Sequence, residues 1–427
     1  MKKTLLLVLT GTLAVAAPAT VAAQNGNANE EITTVIVGDK GAVEEVISEL
    51  DYNAPQRTRE SGLPRFAIVG HDRKFYMGIG AQFNGVAAFD WGDNMPSTIN
   101  FIPSSMTPPA PGNGGKLGFS AATSNFYLNV VALPGTENKI GLFFKGTFEG
   151  ANYGFQLSHF YVKYRGLTAG YTNSLFQDNG AMPYTIDNQG PNGSAATTVM
   201  TGSWTQDFGK GFSGAIGVEA PSANMADNRP GYTRQVTQRI PAIPLYLQYG
   251  WDGGNSHIRL SAIARPLQYR NLVQGKNKTP MGWGVQLSGM VKICDPVTFY
   301  YDATYGYGIA NYLQDDEGMG LDAMASFRKD GKMKLTESMG LTGGLSFQLS
   351  RKWQSSIVYS HLSNWTGSDV RPEAGAYRYG DYVAANILYD LNRFLTFGLE
   401  YDYGHAKDFG GNGLHTNRLQ GLLQVTF

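Results

Sequence analysis

Phe299-Tyr300-Tyr301-Asp302-Ala303-Thr304-Tyr305-Gly306-Tyr307-Gly308-Ile309 decides the fold class of this chain. In an extended strand successive side chains point to opposite faces. Phe299, Tyr301, Ala303, Tyr305, Tyr307 and Ile309 therefore share one face, and Asp302, Thr304, Gly306 and Gly308 share the other. One face suits lipid and the other water. The run is also long enough for a tilted strand to cross a bilayer, which takes about 9–11 residues. Strands of soluble sandwiches more often have about five or six.

The same alternation recurs in both directions along the chain. Ile140, Leu142, Phe144, Gly146 and Phe148 alternate with Gly141, Lys145, Thr147 and Glu149. Ile258, Leu260, Ala262 and Ala264 alternate with His257, Arg259, Ser261 and Arg265, and Leu395, Phe397, Leu399 and Tyr401 with Thr396, Gly398 and Glu400. Such runs number about sixteen between 74 and 427, an all-β transmembrane antiparallel barrel with an even strand count. Connections after even-numbered runs are short, as at Arg165-Gly166 and Asp252 to Asn255; those after odd-numbered runs include 91–117, 174–193, 222–241, 311–333 and 365–376. Short periplasmic turns and long external loops are the arrangement of outer-membrane barrels. Trp91, Trp283 and Trp365 fall at outer strand ends, and Trp204, Trp251 and Trp353 near inner ends, as indoles do at two membrane interfaces.

Composition excludes other classes. Charged residues are 16% of the chain, with 34 basic and 34 acidic side chains, so neither a basic nucleic-acid surface nor an acidic tail is present. Beyond the first 23 residues no apolar run reaches the roughly twenty residues of a membrane helix. Lys2 and Lys3, the apolar stretch Leu5 to Ala17 and the small residues Val21-Ala22-Ala23 read as a signal peptide over 1–23, with cleavage after Ala23. The single cysteine, Cys294, has no partner for an internal disulfide and reads as an inert turn residue. Residues 24–73 form a periplasmic N-terminal segment. Val43, Val46, Ile47 and Leu50 follow helical spacing there, but one short helix is marginal alone, so the expectation is a loosely ordered tail, with docking or oligomerisation as the other reading.

If the apolar face meets lipid, parity sends Lys145, His159, Lys163, Arg259 and Arg265 to the lumen as channel-lining groups. They either draw anions in or merely pair with lumen carboxylates such as Glu149 and Asp302 to keep the wall solvated. Parity breaks in one run, where Phe155 and Leu157 oppose Phe160, Val162 and Tyr164. The stretch Gly170-Tyr171-Thr172-Asn173-Ser174-Leu175-Phe176-Gln177-Asp178, followed by Pro183-Tyr184-Thr185-Ile186-Asp187 and Gly190-Pro191-Asn192-Gly193, resembles the loop signature of the DcaP-like porins. Leu157-Ser158-His159-Phe160-Tyr161 is similar to the strand before that loop, and Leu419, Gly421, Leu423, Val425 and Phe427 resemble the C-terminal signal of such barrels. The chain departs from the family pattern at Ser158 and Asn173.

The resemblance runs from about Phe66 to Phe427. It implies a sixteen-stranded homotrimeric channel in the outer membrane of a Gram-negative bacterium, passing small polar or anionic solutes such as dicarboxylates. Loop 174–193 would fold inward as a constriction carrying Asp178, Pro183, Asp187, Gly190 and Pro191. Pro and Gly at such positions also simply fix turns. No His/Cys cluster has metal-ligand spacing and no phosphate-binding loop is present, so neither an enzyme, a cofactor nor a metal is expected. The rival reading is a closed barrel whose long loops bind partners as a receptor or adhesin.

Overall fold

The computed structural model describes residues 34–35, 40–54, 66–70, 73–112, 114–226 and 228–427. The signal-peptide reading of 1–23 lies outside the described residues. Sixteen strands form the wall. They are β1 (Phe75–Gly92), β2 (Lys116–Ser120, continued by Asn125–Ala132), β3 (Ile140–Gly150), β4 (Gly154–Tyr164), β5 (Leu167–Asn173), β6 (Thr198–Gly209), β7 (Phe212–Glu219) and β8 (Ile243–Trp251). Then follow β9 (Ser256–Pro266), β10 (Met281–Cys294), β11 (Val297–Tyr307), β12 (Glu337–Gln348), β13 (Trp353–Trp365), β14 (Tyr377–Asp390), β15 (Leu395–Asp408) and β16 (Gly413–Thr426). Each pairs antiparallel with the next, and β16 returns to β1 through Thr416↔Gly92 to Thr426↔Gln82. Closure leaves no wall strand with an unpaired edge, the condition for β-structure to sit in hydrocarbon.

Burial inverts the usual order of a soluble protein. On β16 the apolar Leu419 and Leu423 are exposed outward, whereas Arg418, Gln420 and Gln424 are buried inward. The tryptophans are on the outer surface, where Trp91, Trp204, Trp283, Trp353 and Trp365 are exposed. The parity break in β4 has a local cause. Lys145 pairs with His159 but Gly146 with Leu157, so Ser158 is an extra residue that rotates the strand by one position. Phe155 and Phe160, of opposite sequence parity, consequently both point outward, 52% and 49% exposed.

Among the external connections that enter the barrel are loop L1 between β1 and β2, L3 between β5 and β6, and L6 between β11 and β12. Met95, Phe101 and Met106 of L1, Phe176 and Ala195 of L3, and Ile309, Tyr312 and Leu313 at the start of L6 join one apolar cluster with the wall residues Ile263, Val358, Leu362 and Tyr382. The outer half of the lumen thus has a packed core. At the other end, the first barrel strand overhangs the last, and the short strand Phe66–Val69 pairs with its overhang through Phe66↔Ile79 to Val69↔Tyr76. Helix α1 (Lys40–Asn53) then lies on the inner face of the wall. Its Val46 and Leu50 bury against Ala67, Val69, Tyr76 and Val131, so the N-terminal segment is seated rather than a loose tail over these residues.

Candidate channel lumen

L3 crosses the lumen between two anchors. At the first, the Asp178 carboxylate meets His257 Nε2 and Ser288 Oγ, both at 2.8 Å, from β9 and β10. Burial alone would raise the Asp178 pKa, but the His257 hydrogen bond and the Arg259 guanidinium bring it below the ordinary carboxylate value. At the second, Asp187 accepts from the backbone N–H groups of Phe101 (2.7 Å) and Gly190 (2.9 Å) and from Tyr382 Oη–H (3.1 Å). Glu400 of β15 accepts from the N–H groups of Ile186 and Asp187 at 2.7 and 2.6 Å. Burial and the neighbouring Glu400 raise the Asp187 pKa, so this anchor holds a proton more tightly than a free carboxyl.

The proline and glycine positions of L3 fix its path. Gly190 has φ +79°, a conformation that side chains other than glycine's resist. Pro183 packs over Gly344 of β12, and the Pro191 carbonyl accepts from Ser194 N–H. Asn192 donates to the Gly380 carbonyl at 3.0 Å, and Gly193 N–H to Ser360 Oγ at 2.9 Å. L3 therefore lies along the inner faces of β12 to β14 after leaving β9 and β10.

The expected channel-lining cations divide into two sets. Arg259 and Arg265 point inward, as parity requires, but are only 3% and 1% exposed, so they do not line water. Their bulk and five donors are instead spent on loop backbone and carboxylates. Arg259 stacks 3.6 Å from the Tyr246 ring centroid and donates to the Leu175 carbonyl of L3. Arg265 forks onto Asp322 of L6 at 2.8 and 3.1 Å, donates to the Gly308 and Ser222 carbonyls, and sits over Tyr312. Arg418, which the alternation reading overlooked, does the same for L1: it forks onto Asp90 at 2.6 and 3.0 Å and donates to the Ser97 and Thr98 carbonyls. Its position opposite Asp90 follows only from barrel closure, which pairs strands more than 300 residues apart in sequence.

Lys145, His159 and Lys163 form the second set, half-buried on the inner faces of β3 and β4. Lys145 and His159 are cross-strand neighbours, and His159 Nδ1 lies 3.1 Å from Thr172 Oγ1. Between the Lys145–His159 pair and Lys163, which lies nearer the periplasm, the rings of Tyr127, Phe143 and Tyr161 stack across β2 to β4. Among the described residues no group of His, Cys, Asp or Glu could hold a metal ion.

Comparison with known proteins converges on the same architecture. A family model described as Porin subfamily matches residues 117–419. The chain belongs to this porin family. It is accordingly an outer-membrane channel for passive diffusion in a Gram-negative envelope, its family and fold being those of a channel rather than an enzyme. The outer membrane channel DcaP of Acinetobacter baumannii shares its fold with a TM-score of 0.72 at 19% identity, over 83% of this chain and 97% of that one. The DcaP likeness read from the loop motif thus holds at the level of fold. OmpT of Vibrio cholerae superposes with a TM-score of 0.53 at 8% identity, over 83% of this chain and 98% of its own. OmpF of Salmonella typhi, solved with daunomycin, gives 0.52 at 9% identity over the same shares. No curated protein sequence matches the porin described here.

Proposed function

We propose that this porin favours small anionic solutes such as dicarboxylates and works as a homotrimer of parallel channels. The observation that carries the anion preference is the placement of Lys145, His159 and Lys163 on the inner faces of two neighbouring strands, β3 and β4. The formal net charge is zero, so preference comes from placement rather than from total charge. Replacing Lys145 and Lys163 together by Ala should move the reversal potential toward cations in dilute salt. The effect should fade as salt rises, because the Debye length falls from about 10 Å at 0.1 M to about 3 Å at 1 M. An unchanged reversal potential at low salt refutes the preference.

The trimer rests on the family resemblance, and closed cyclic symmetry would leave three lumens parallel. Conductance in triplet steps checks it; single-step closures from monodisperse monomers count against it. A receptor reading draws on the apolar cluster that L1, L3 and L6 build in the outer lumen. A folded protein that shows no conductance in a planar bilayer would favour that reading over the channel.

A further inference from the structure

Helix α1 carries a set of contacts that a mere tether would not need. Two carbonyls near its C-terminus accept from wall side chains: that of Leu50, which also accepts from Ala54 N–H, and that of Asn53, at a helix end where carbonyls find no internal donor. Asn129 Nδ2 donates to the Leu50 carbonyl at 2.9 Å, and Tyr161 Oη–H to the Asn53 carbonyl at 2.8 Å. In return Asn53 Nδ2 donates to Asn129 Oδ1 at 2.9 Å. The wall makes room at Gly141, where any side chain would collide with Asn53.

The acidic side chains of the helix face cations in turn. Glu45 meets Arg73 at 3.4 Å and accepts from Tyr76 Oη–H at 2.8 Å. Glu49 pairs with Lys139 at 3.0 Å and accepts from Gly135 N–H at 3.0 Å. Asp51 lies within electrostatic range of Lys163. A helix is about 10–12 Å across with its side chains, so one laid on the inner wall removes a substantial part of the opening.

We propose that helix α1 is a resident constrictor of the periplasmic mouth, narrowing the passage while its carboxylates mask the wall cations Lys139 and Lys163. The charge-masking part rests on the reading of the inward lysines as solute-facing; the narrowing part does not. The helix acts as a selectivity element supplied from outside the barrel wall. Its apolar seat of Val46 and Leu50 holds it in place, and Glu49 and Asp51 tune the field that a solute meets on leaving the lumen.

The test uses full-length protein in planar bilayers, with Cys294→Ser removing the native thiol and Ala54→Cys, at a buried position, reporting whether the helix is seated. Val46→Asp with Leu50→Asp should unseat it: maleimide labelling of the reporter accelerates, single-channel conductance rises about 1.5-fold, and the reversal potential in 0.1 M salt moves toward anions. Glu49→Gln with Asp51→Asn should leave labelling slow and conductance near wild type while moving the reversal potential the same way. Fast labelling with wild-type conductance overturns the constrictor. A charge variant with the wild-type reversal potential overturns the masking, whether or not the unseated variant folds. If instead Lys145→Ala with Lys163→Ala leaves selectivity unchanged while the unseated helix still raises conductance, the anion reading fails and the constrictor stands.

Discussion

The folded-in outer loops and the periplasmic helix are fastened to the same wall by different chemistry. Where the external loops fold into the lumen, Arg259, Arg265 and Arg418 are buried, and each binds loop carbonyls as well as facing a carboxylate. At the periplasmic end, the polar contacts of helix α1 run through arginine, lysine, asparagine and tyrosine side chains, from the exposed Arg73–Glu45 pair to the buried contacts of Asn53. Arginine suits the first setting because its planar fork satisfies a carboxylate and backbone oxygens at once without changing charge. Lysine suits the second because its head stays hydrated while its stem packs. The outer loops are therefore held by a few strong clamps, and the periplasmic helix by an apolar seat and several separate polar ties.

The largest effect expected from this contrast is at Arg265. Removing one member of a buried pair leaves an uncompensated charge, which costs about 3–5 kcal/mol. Arg265→Ala would strand Asp322 and free the Gly308 and Ser222 carbonyls. Thermal unfolding in detergent should shift markedly downward, and open-channel noise should rise as L6 loosens. Arg265→Lys keeps the charge but not the fork and should recover only part of the loss. Wild-type melting in both variants would show that the outer lumen does not depend on these clamps.

A middle-sized effect concerns pH. Asp315 in L6 is pushed up to about 7, first by burial and then by the nearby Asp187 carboxylate, while Ser104 N–H and its side chain act in the other direction. Its Oδ2 accepts from Ser104 N–H at 3.0 Å. A raised carboxyl pKa means that the packed loop holds a proton which the released loop gives up. The stabilisation is full in acid and declines as pH rises from the ordinary carboxylate range through about 7. Conductance should be lower and quieter at pH 5 than at pH 8, and Asp315→Asn should shrink that difference. A pH-independent trace would remove Asp315 and its neighbours from any part in loop packing.

Much of the wall was legible in the sequence because alternation is a local signal that lipid enforces strand by strand. The sixteen strands and the outward tryptophans follow from it, whereas the inward course of L3 was implied by the resemblance of its motif to the DcaP-like porins. What alternation cannot carry is what lies across the lumen. Parity sent Arg259 and Arg265 inward correctly, but only the folded loops show that Leu175, Gly308 and Asp322 wait there instead of water. Arg418 was missed because its partner Asp90 is brought near only by closure of β16 on β1. The conflict between Phe155 and Phe160 was visible, and the extra residue at Ser158, itself one of the departures from the DcaP-like pattern, resolves it. Helix α1 was readable as a helix, whereas its seat was not, since Tyr76 and Val131 are ordinary strand residues until the wall curves around them.

The smallest effect sharpens the comparison from its weak end. Arg73 and Glu45 meet at 3.4 Å with side chains 62% and 49% exposed, so water and salt screen the attraction and ordering two long side chains offsets most of the rest. Arg73→Ala should cost no more than about 0.5 kcal/mol. Melting should move little, and the small change should vanish in high salt. Glu45 would still accept from Tyr76, so the helix should remain seated and the Ala54→Cys reporter remain slow to label. Should Arg73→Ala instead destabilise the protein as much as Arg265→Ala, the periplasmic contacts would be as fixed as the outer clamps. The helix would then hang on this one ion pair rather than on its apolar seat and its several separate ties.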